Sequence, residues 1–214
     1  MRTAPRRVLD VFVDACRDVA RRGLVRCSSG NLSLRLDGER MLIKASRSWM
    51  DRLTRADVSV CRIADGRLLH GRKPSVEIGF HSGVLRARPD VSVVLHAQPP
   101  AATALACRRG RCNWAVIPEI PVYIGPVARV PYLLPGSRAL ADAVVEAMRD
   151  HDLAVLDHHG VVTAAPDLDH AIQNASFFEL ACEVLLAGGR GVTPLSPRDV
   201  RELMSLRRGP DSQA

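Results

Sequence analysis

Two histidines stand where apolar runs of the sequence end, and they are the first candidates for chemistry. His96 follows the apolar run that begins at Val91, and His159 lies in the segment LDHHGVV, directly before Gly160. A neutral imidazole can bind a divalent ion through one ring nitrogen while the other nitrogen is held by a neighbouring group. Strand ends are also where a rigid scaffold presents side chains to a cleft. We therefore interpret His96 and His159 as candidate metal ligands.

Gln98 stands two residues after His96, in the segment VVLHAQPP (93–100). Side chains two positions apart point to the same face of a strand, so Gln98 occupies the place of a second ligand. Its neutral amide oxygen is a weaker donor for zinc than an imidazole. The segment is either a metal-binding strand with one ligand exchanged or an ordinary strand that stops at a polar turn.

Glu77 is a carboxylate near the predicted start of a helix, after the segment KPS. A carboxylate in this place suits either a metal ligand or a proton carrier. Each candidate also has an ordinary explanation. Glu77 can be a first-turn acid that interacts with the helix dipole, the histidines can be hydrogen-bonded residues of a strand end, and Asn31 after Gly30 can be a routine turn.

The predicted elements that must position these groups in the first half of the chain are helices and strands. Apolar residues at helical spacing predict an amphipathic helix over about 5–22, ended by Gly23. The segments LSLRL and RMLIKA predict a hairpin around DGE, and VSVCRI and LLHG predict a second hairpin around ADGR. A helix closed by Pro89 and the strand that carries His96 are predicted next.

The second half begins with a helix through AATALACRR and a proline-rich stretch, 117–136, which we expect to be irregular. A helix is predicted over about 137–149. The segment LAVLDHHGVVTAAPDL predicts a buried strand, a turn that contains His159, and a second strand. A long helix over about 167–187 and a short helix over 197–206 complete the pattern.

The fold class follows from the connections between these elements. Helices alternate with strands, but the hairpin turns indicate antiparallel pairing instead of a doubly wound parallel sheet. We expect an α/β fold of three layers, with a mostly antiparallel central sheet and helices on both sides. The 214 residues, 47% of them hydrophobic, fit one domain over 1–206, and we expect 207–214 to be a flexible tail.

The charge of the chain comes almost entirely from arginine. Lys44 and Lys73 are the only lysines, and the formal net charge is +7. The arginines are scattered among acidic residues, and eight aromatic residues leave few side chains for stacking on bases, so we expect no nucleic-acid partner. No apolar run approaches the ~20 residues that span a bilayer, and the N-terminus lacks the signal-peptide pattern. These features favour a cytoplasmic protein with no membrane partner.

The six cysteines show no regular spacing. Cys107 and Cys112, in CRRGRC, are separated by four residues, a spacing that allows both thiols to bind one metal ion or to form a disulfide. A zinc site would need two further thiols or imidazoles close by, and the neighbouring sequence offers none. We expect the thiols to be reduced and dispensable.

Five segments, taken in order, resemble the class II aldolase and adducin N-terminal family, which includes fuculose-phosphate aldolase and the head domain of adducin. The resemblance covers about residues 6–190, and its most specific parts are 74–96 and the HHG turn. It implies a three-layer fold with a mostly antiparallel sheet. It also implies a homotetramer with active sites between neighbouring subunits. The segments are SSGNLSLRL, IKASRSWMDRLT, KPSVEIGFHSGVLRARPDVSVVLHAQ, VPYLLPGS and LDHHGVVTAAPDLDHAIQNASFFELACEVLL.

The resemblance also implies a metal site. In enzymes of the family a divalent ion, usually zinc, is bound by three histidines, and a carboxylate on the PSxE helix moves the proton. By position the carboxylate is Glu77, the first and third histidines are His96 and His159, and the second falls on Gln98. This exchange implies weaker binding of zinc or a preference for another metal, and Glu77 could complete the ligand set.

The anion pocket implied by the resemblance departs from the family pattern at two positions. The family's glycine falls on Arg47, and its second serine falls on Val76. An arginine can bind a phosphate or a carboxylate through two parallel hydrogen bonds, whereas a valine removes a donor. A tyrosine that the neighbouring subunit supplies in fuculose-phosphate aldolase falls near Ile117, so that role has no clear occupant. The implied pocket residues are Gly30, Asn31, Ser46, Arg47 and Ser75.

Two functions follow as hypotheses. The first is a divalent-metal-dependent lyase of the aldolase type, acting by retro-aldol cleavage or a related reaction such as decarboxylation on a small sugar-derived or carboxylate-bearing substrate. The second is a non-catalytic, adducin-like binding or scaffold protein with a degenerate metal site. The retained group of Glu77, His96 and His159 favours the enzyme, because a scaffold has no physical need for these side chains in one cleft.

Overall fold

The computed structural model describes residues 4–110 and 112–206, so the expected tail at 207–214 lies outside the described residues. The helices are α1 (Arg6–Arg21), α2 (Ile78–Ala87), α3 (Pro100–Ala106), α4 (Arg138–Ala147), α5 (Leu168–Gly188) and α6 (Pro197–Leu206). The strands are β1 (Asn31–Arg35), β2 (Arg40–Lys44), β3 (Val58–Arg62), β4 (Leu68–His70), β5 (Val93–Ala97), β6 (Val127–Val130), β7 (Leu153–Leu156) and β8 (Gly160–Ala165).

The eight strands form one sheet in the order β4-β3-β2-β1-β5-β8-β7-β6. All neighbouring strands are antiparallel except β6 and β7, which are parallel. Both predicted hairpins are present, because β1 pairs with β2 and β3 pairs with β4. The prediction of a mostly antiparallel sheet is confirmed.

Helices cover both faces of the sheet and complete the three predicted layers. On one face, α1, α3 and α5 enclose a core cluster that includes Phe12, Phe178 and Leu95. On the other face, α2 and α4 enclose a second cluster that includes Phe80 and Val94. Val94 and Leu95 are adjacent on β5 and belong to opposite faces, as the period of two requires. A strand buried on both faces therefore leads to His96.

The proline-rich stretch is more ordered than the sequence predicts. We expected 117–136 to be irregular, but it contains a single π-helical turn, Ile120–Ile124, and the edge strand β6. Strand β6 has four residues and lies between Pro126 and Pro131. A run this short gives no readable period, and its pairing partner β7 lies more than 20 residues further along the chain. The prediction was therefore wrong because a long-range pairing decides this strand.

The start of α2 also differs from the prediction. Glu77 is the N-cap residue, with φ −93° and ψ 13°, and helical geometry begins at Ile78. Its side chain makes no cap hydrogen bond, so it is not the first-turn acid that the sequence suggested. Ser75 lies before the helix, and its Oγ accepts a hydrogen bond from the Glu77 N–H at 3.3 Å. The carboxylate consequently turns towards Asn31 on β1 and His96 on β5, in the middle of the sheet.

Two further properties bear on the function. Among the described residues, no helix combines the length and the apolar character that crossing a membrane requires. Cys107 is exposed, Cys112 is half-buried, and neither is paired in a disulfide.

Candidate active site and metal centre

Strand β5 and the β7–β8 turn bring the two candidate histidines together. His96 lies on β5, and His159 lies in the turn just before β8, which pairs with β5. The two ring centroids are 4.6 Å apart, with an interplanar angle of 67°. Both side chains are almost withdrawn from solvent, at 1% and 10% exposure.

Glu77 joins this pair from the helix side. One carboxylate oxygen, Oε2, is 3.6 Å from His96 Nε2, and the other, Oε1, is 3.4 Å from His159 Nε2. A ligand atom from each of the three residues lies within 4.8 Å of the others. The structure thus assembles the predicted carboxylate and both predicted histidines in one place.

The hydrogen bonds of the cluster suit a bound cation. His96 Nδ1 donates to the carbonyl of Val161 at 2.9 Å, which leaves Nε2, on the side of Glu77, as the ring atom that can bind an ion. Glu77 Oε1 and His159 Nδ1 are buried and have no hydrogen-bond partner within residues 4–110 and 112–206. Burial lowers the pKa of His159 to about 4, with His96 nearby adding to the shift and Glu77 opposing it. A neutral imidazole beside a buried, unpartnered carboxylate oxygen is the donor set that a divalent ion requires.

Two glycines permit this close arrangement of strands. Gly160 has φ +151°, and a Cβ there would lie 2.4 Å from the carbonyl oxygen of Ala97 on β5. Gly30 has φ +66°, and a Cβ there would lie 2.8 Å from the carbonyl oxygen of His96. Any side chain at either position would separate β5 from its neighbours. The glycines are therefore needed to keep His159 and Asn31 beside His96.

Gln98 lies just beyond the end of β5. Its backbone N–H donates to the carbonyl of Leu24 at 2.9 Å, and its Cγ lies next to Gly160. Its side chain faces the same cleft as His96 and His159. The position agrees with the predicted face of the strand, and a role as ligand stays a prediction.

A single cleft of about 310 Å³ contains every site residue that the sequence predicted. Arg47 is exposed at its edge and adopts φ +63°, a left-handed conformation in which glycine is the residue without strain. This backbone explains why the family pattern has a glycine where this chain has arginine. The predicted residues that line the cleft are Gly30, Asn31, Ser46, Arg47, Ser75, Glu77, His96, Gln98 and His159.

A larger groove of about 480 Å³ lies elsewhere, beside α6, and includes Trp114, Ile120 and Met204. Among its described lining residues, Cys112 is the only ionisable group. Volume does not favour either of them, because a third groove of about 740 Å³ between α1 and the start of α5 is larger than both. The chemistry favours the smallest of the three, where a carboxylate, two imidazoles and a guanidinium converge.

Two residues near the cleft were not predicted from the sequence. Lys44 is 2% exposed, and its Nζ donates to the carbonyls of Ser28 at 3.0 Å and Ser48 at 2.6 Å. It thereby connects the loop before Asn31 to the loop that carries Arg47. Burial lowers the pKa of Lys44, and this is opposed by nearby Cys16, Asp57 and Glu77. The sequence feature that could have identified Lys44 is a lysine at the end of an apolar strand, in a chain whose positive charge comes almost entirely from arginine.

The second missed residue is His81, one helical turn after Glu77. It is fully buried on α2, and its ring stacks on Phe80 with a centroid distance of 4.7 Å. Burial lowers the pKa of His81 to about 3, with His96 adding to the shift, so the ring is neutral. The available signal was an ionisable residue within the apolar segment IGFHSGVL.

Comparison with known proteins agrees with this geometry. The model of the class II aldolase and adducin N-terminal domain matches residues 10–186. The chain belongs to this family. The family resemblance deduced from the sequence is thereby confirmed.

Among similar proteins, the 3-oxo-tetronate 4-phosphate decarboxylase of Escherichia coli (strain K12) is 32% identical, over 86% of this chain and 89% of its own. The 3,4-dihydroxyphthalate decarboxylase of Arthrobacter keyseri is 31% identical, over 90% of this chain and 84% of its own. The structure of an L-fuculose 1-phosphate aldolase superposes with a TM-score of 0.87 and 25% identity, covering 96% of this chain and 98% of that chain.

These members of the class II aldolase and adducin family are aldolases and decarboxylases, which are both lyases. The chain is accordingly an aldolase-type lyase of a metal-dependent family, as the sequence predicted.

Proposed function

We propose that this chain cleaves a carbon–carbon bond next to a carbonyl group, by decarboxylation or retro-aldol cleavage, at the cleft formed by Glu77, His96 and His159. The observation that carries the proposal is the buried, unpartnered Oε1 of Glu77, 3.4 Å from one imidazole of a pair. An unpaired buried carboxylate oxygen is costly in a protein that does not use it.

The residues divide the chemical work between them. His96 and His159 would hold a divalent ion, with Gln98 as a further neutral donor, and we propose zinc as the ion. Such an ion polarises a substrate carbonyl and stabilises the negative charge left by bond cleavage. Glu77 moves the proton, because its Oε1 lies 3.4 Å from His159 Nε2 without a hydrogen bond while its Oε2 accepts a hydrogen bond from Asn31 at 2.9 Å.

The other end of the cleft supports a carboxylate-bearing substrate. Arg47 contributes a guanidinium at the edge, and Ser46 and Ser75 contribute hydroxyl groups. Val76 is 58% exposed and puts an apolar wall where the family has a second serine. The two decarboxylase relatives act, by their names, on a phosphate ester and on an aromatic dicarboxylate. The loss of a hydroxyl donor and the gain of a planar guanidinium favour a carboxylate here.

The proposal also covers the oligomeric state of the protein, its location in the cell and its domain organisation. The cleft is flanked by exposed apolar side chains, with Val76 at 58% and Leu134 at 67% exposure. A second subunit that covers them would explain their exposure, and the family's homotetramer is the assembly we propose. We also propose a cytoplasmic protein with one domain over 1–206.

A non-catalytic, adducin-like scaffold is the second candidate. The exchange of a ligand histidine for Gln98 and of a serine for Val76 favours it. The intact cluster of Glu77, His96 and His159 weighs against it, because each member carries a desolvation cost that packing alone does not offset.

Metal analysis separates the two candidates. Protein purified without chelator is expected to contain a divalent ion in stoichiometric amount. After the ion is removed, calorimetry with Zn²⁺ is expected to show one site that is lost in His159→Ala. His158→Ala is the matched control, because His158 precedes His159 in the same turn. A metal-free wild type with no measurable affinity for Zn²⁺, Mn²⁺ or Co²⁺ would favour the scaffold.

Turnover is tested with two groups of substrates. The first contains small 3-oxo acids with a second carboxylate or a phosphate, and release of CO₂ is measured. The second contains ketose 1-phosphates, and release of an aldehyde is measured. We expect metal-dependent CO₂ release to be the faster activity, and no turnover of either group by metal-loaded protein would remove the proposed reaction.

A further inference from the structure

A chain of buried hydrogen bonds runs from Ser33 on β1 through His81 on α2 and Asn31 on β1 to Glu77. Ser33 Oγ lies 2.7 Å from His81 Nδ1, and His81 Nε2 contacts the side-chain oxygen of Asn31. Asn31 Nδ2 lies 2.9 Å from Glu77 Oε2. All four side chains are buried, with His81 and Ser33 at 0% exposure, so water does not substitute for any link.

The direction of every bond in this chain follows from the chemistry of Asn31. Its side-chain nitrogen can only donate, so Asn31 Nδ2 donates to Glu77 Oε2. The Asn31 oxygen is then the acceptor towards His81, which must donate from Nε2. Because the His81 ring is neutral, its Nδ1 accepts from the Ser33 hydroxyl. One arrangement of protons satisfies all three links.

His81 has no other polar partner among the described residues. Its neighbours on the buried side of α2 are Phe80, Val84 and Leu85, and an apolar residue would fill the same volume without a desolvation cost. The imidazole is instead hydrogen-bonded through both nitrogens, and both bonds end on β1. The packing of α2 alone therefore does not explain a histidine here.

The two oxygens of Glu77 are consequently in different situations. Oε2 is anchored by Asn31, whereas Oε1 is buried, unpartnered and turned towards His159. Anchoring one oxygen fixes the rotation of the carboxylate and leaves the other oxygen for a cation or a proton.

We propose that His81 is a positioning residue that acts through Asn31 to hold the Glu77 carboxylate in the orientation required for metal binding and proton transfer. This inference rests on the proposed function of Glu77. It also changes the expected role of Asn31, because its oxygen faces His81 and one of its N–H groups faces Glu77. At most one N–H of Asn31 is left for a substrate anion.

Two conservative variants of His81 test which nitrogen matters. The side-chain amide of glutamine reaches the place of Nε2 and can still donate to Asn31, whereas that of asparagine reaches only the place of Nδ1, near Ser33. His81→Asn is expected to lower Zn²⁺ affinity of the metal-stripped protein by about 10- to 100-fold, as for other groups that orient metal ligands. His81→Gln is expected to recover most of this loss.

A double-mutant cycle tests the route through Asn31. Asn31→Ala and His81→Asn are expected to weaken Zn²⁺ binding by similar factors, and the double variant is expected to be no weaker than Asn31→Ala. Thr163→Val is the matched control, because it removes one buried hydrogen bond, to the carbonyl of Ala171, on the opposite face of the sheet. Calorimetry gives the affinities, and circular dichroism checks the fold of each variant.

Equal Zn²⁺ affinities in His81→Gln and His81→Asn would overturn the proposal, as would additive losses in the double variant. If the His81 variants do not fold, Asn31→Ala decides alone, and wild-type affinity in that variant would overturn it. Failure of the proposed function gives a different result, in which the wild type itself shows no measurable affinity for Zn²⁺. Loss in Glu77→Gln with normal affinity in His81→Asn would remove this inference and keep the function.

Discussion

The two ends of the cleft are built differently. At the metal end, Glu77 and His96 are at most 6% exposed, and each is fixed by a hydrogen bond from or to a neighbouring strand. At the anion end, Arg47 and Val76 are exposed, and no side-chain hydrogen bond fixes either within the part of the chain that the structure describes. The rigid end contains the groups to which we assign the chemistry and one departure from the family pattern, at Gln98, whereas the open end contains two departures, at Arg47 and Val76.

This difference indicates how the chain relates to its family. Buried ionisable groups depend on each other, so losing one leaves the others unpaired and costly. An exposed arginine or valine at a cleft edge changes without such a cost, and it changes which anion fits. We infer that losing Glu77 or a histidine costs more than substituting Arg47 or Val76, and we propose that the open end sets which anion fits.

The largest expected effect is that of Glu77→Gln. Loss of the proton carrier is expected to reduce turnover by about 10²- to 10⁴-fold. The metal-free variant is expected to melt at a higher temperature than the wild type, because a buried charge is removed, and to gain less stability from Zn²⁺. Enzyme assays and thermal unfolding with and without Zn²⁺ measure these effects.

The control for this variant is Glu202→Gln, on the exposed side of α6. Stabilisation of Glu77→Gln by Zn²⁺ to the same extent as the wild type would contradict the role of the rigid end.

The next effect concerns stability against pH. The pKa of His81 is lowered to about 3 in the folded protein by burial and by His96, against about 6.5 when unfolded. Between pH 6.5 and pH 3, His81 is therefore protonated in the unfolded chain and neutral in the folded protein. The free energy of unfolding is highest above pH 6.5 and falls by up to ~1.4 kcal/mol per pH unit from this residue as pH drops towards 3.

His81→Gln is expected to remove this contribution to the slope, measured by urea unfolding between pH 7 and pH 4. His70→Ala, at the exposed end of β4, is the control. An unchanged slope in His81→Gln would show that the ring is not held neutral.

Gln98→His sharpens the metal end and is expected to have a smaller effect. Positions 96 and 98 share a strand face, so a third imidazole would join His96 and His159. We expect Zn²⁺ affinity by calorimetry to rise at least about tenfold, or ~1.4 kcal/mol. His159→Ala in the same background should abolish the gain. Unchanged affinity in a folded Gln98→His protein would mean that position 98 does not face the ion.

The smallest effect is expected at Arg47. Arg47→Gly and Arg47→Ala both remove the guanidinium and should weaken binding of malonate and inorganic phosphate. Because residue 47 has φ +63°, the glycine variant should be more stable than the alanine variant by about 1 kcal/mol. Calorimetry and urea unfolding measure the two effects. Equal stability of the variants would argue against a strained backbone, and undiminished malonate binding would place the anion elsewhere.

Much of the fold was predictable because its signals are local. Periodicity and turn residues predicted α5 as 167–187, against the observed Leu168–Gly188, and predicted α6 at its observed bounds. The hairpin turns indicated antiparallel pairing, which is the property that separates this sheet from a doubly wound one. Strand β6 was missed because four residues between prolines carry no period, and its partner β7 is distant in sequence.

The site divides in the same way. The sequence by itself determined which residues can do chemistry: Glu77, His96 and His159 are the right types at element ends, and the family pattern aligned Gln98 and Arg47 with its ligand and glycine positions. The left-handed backbone at Arg47 was not predicted and is known from the structure alone.

Only the tertiary structure decided how those residues are oriented. His81 and Asn31 are 50 residues apart, and their hydrogen bond exists because α2 packs on the face of the sheet to which the first residue of β1 points. The two situations of the Glu77 oxygens follow from that contact and from the register that pairs β5 with β8. Residue type is a property of one position, whereas orientation depends on packing between segments distant in sequence, and no local pattern encodes it.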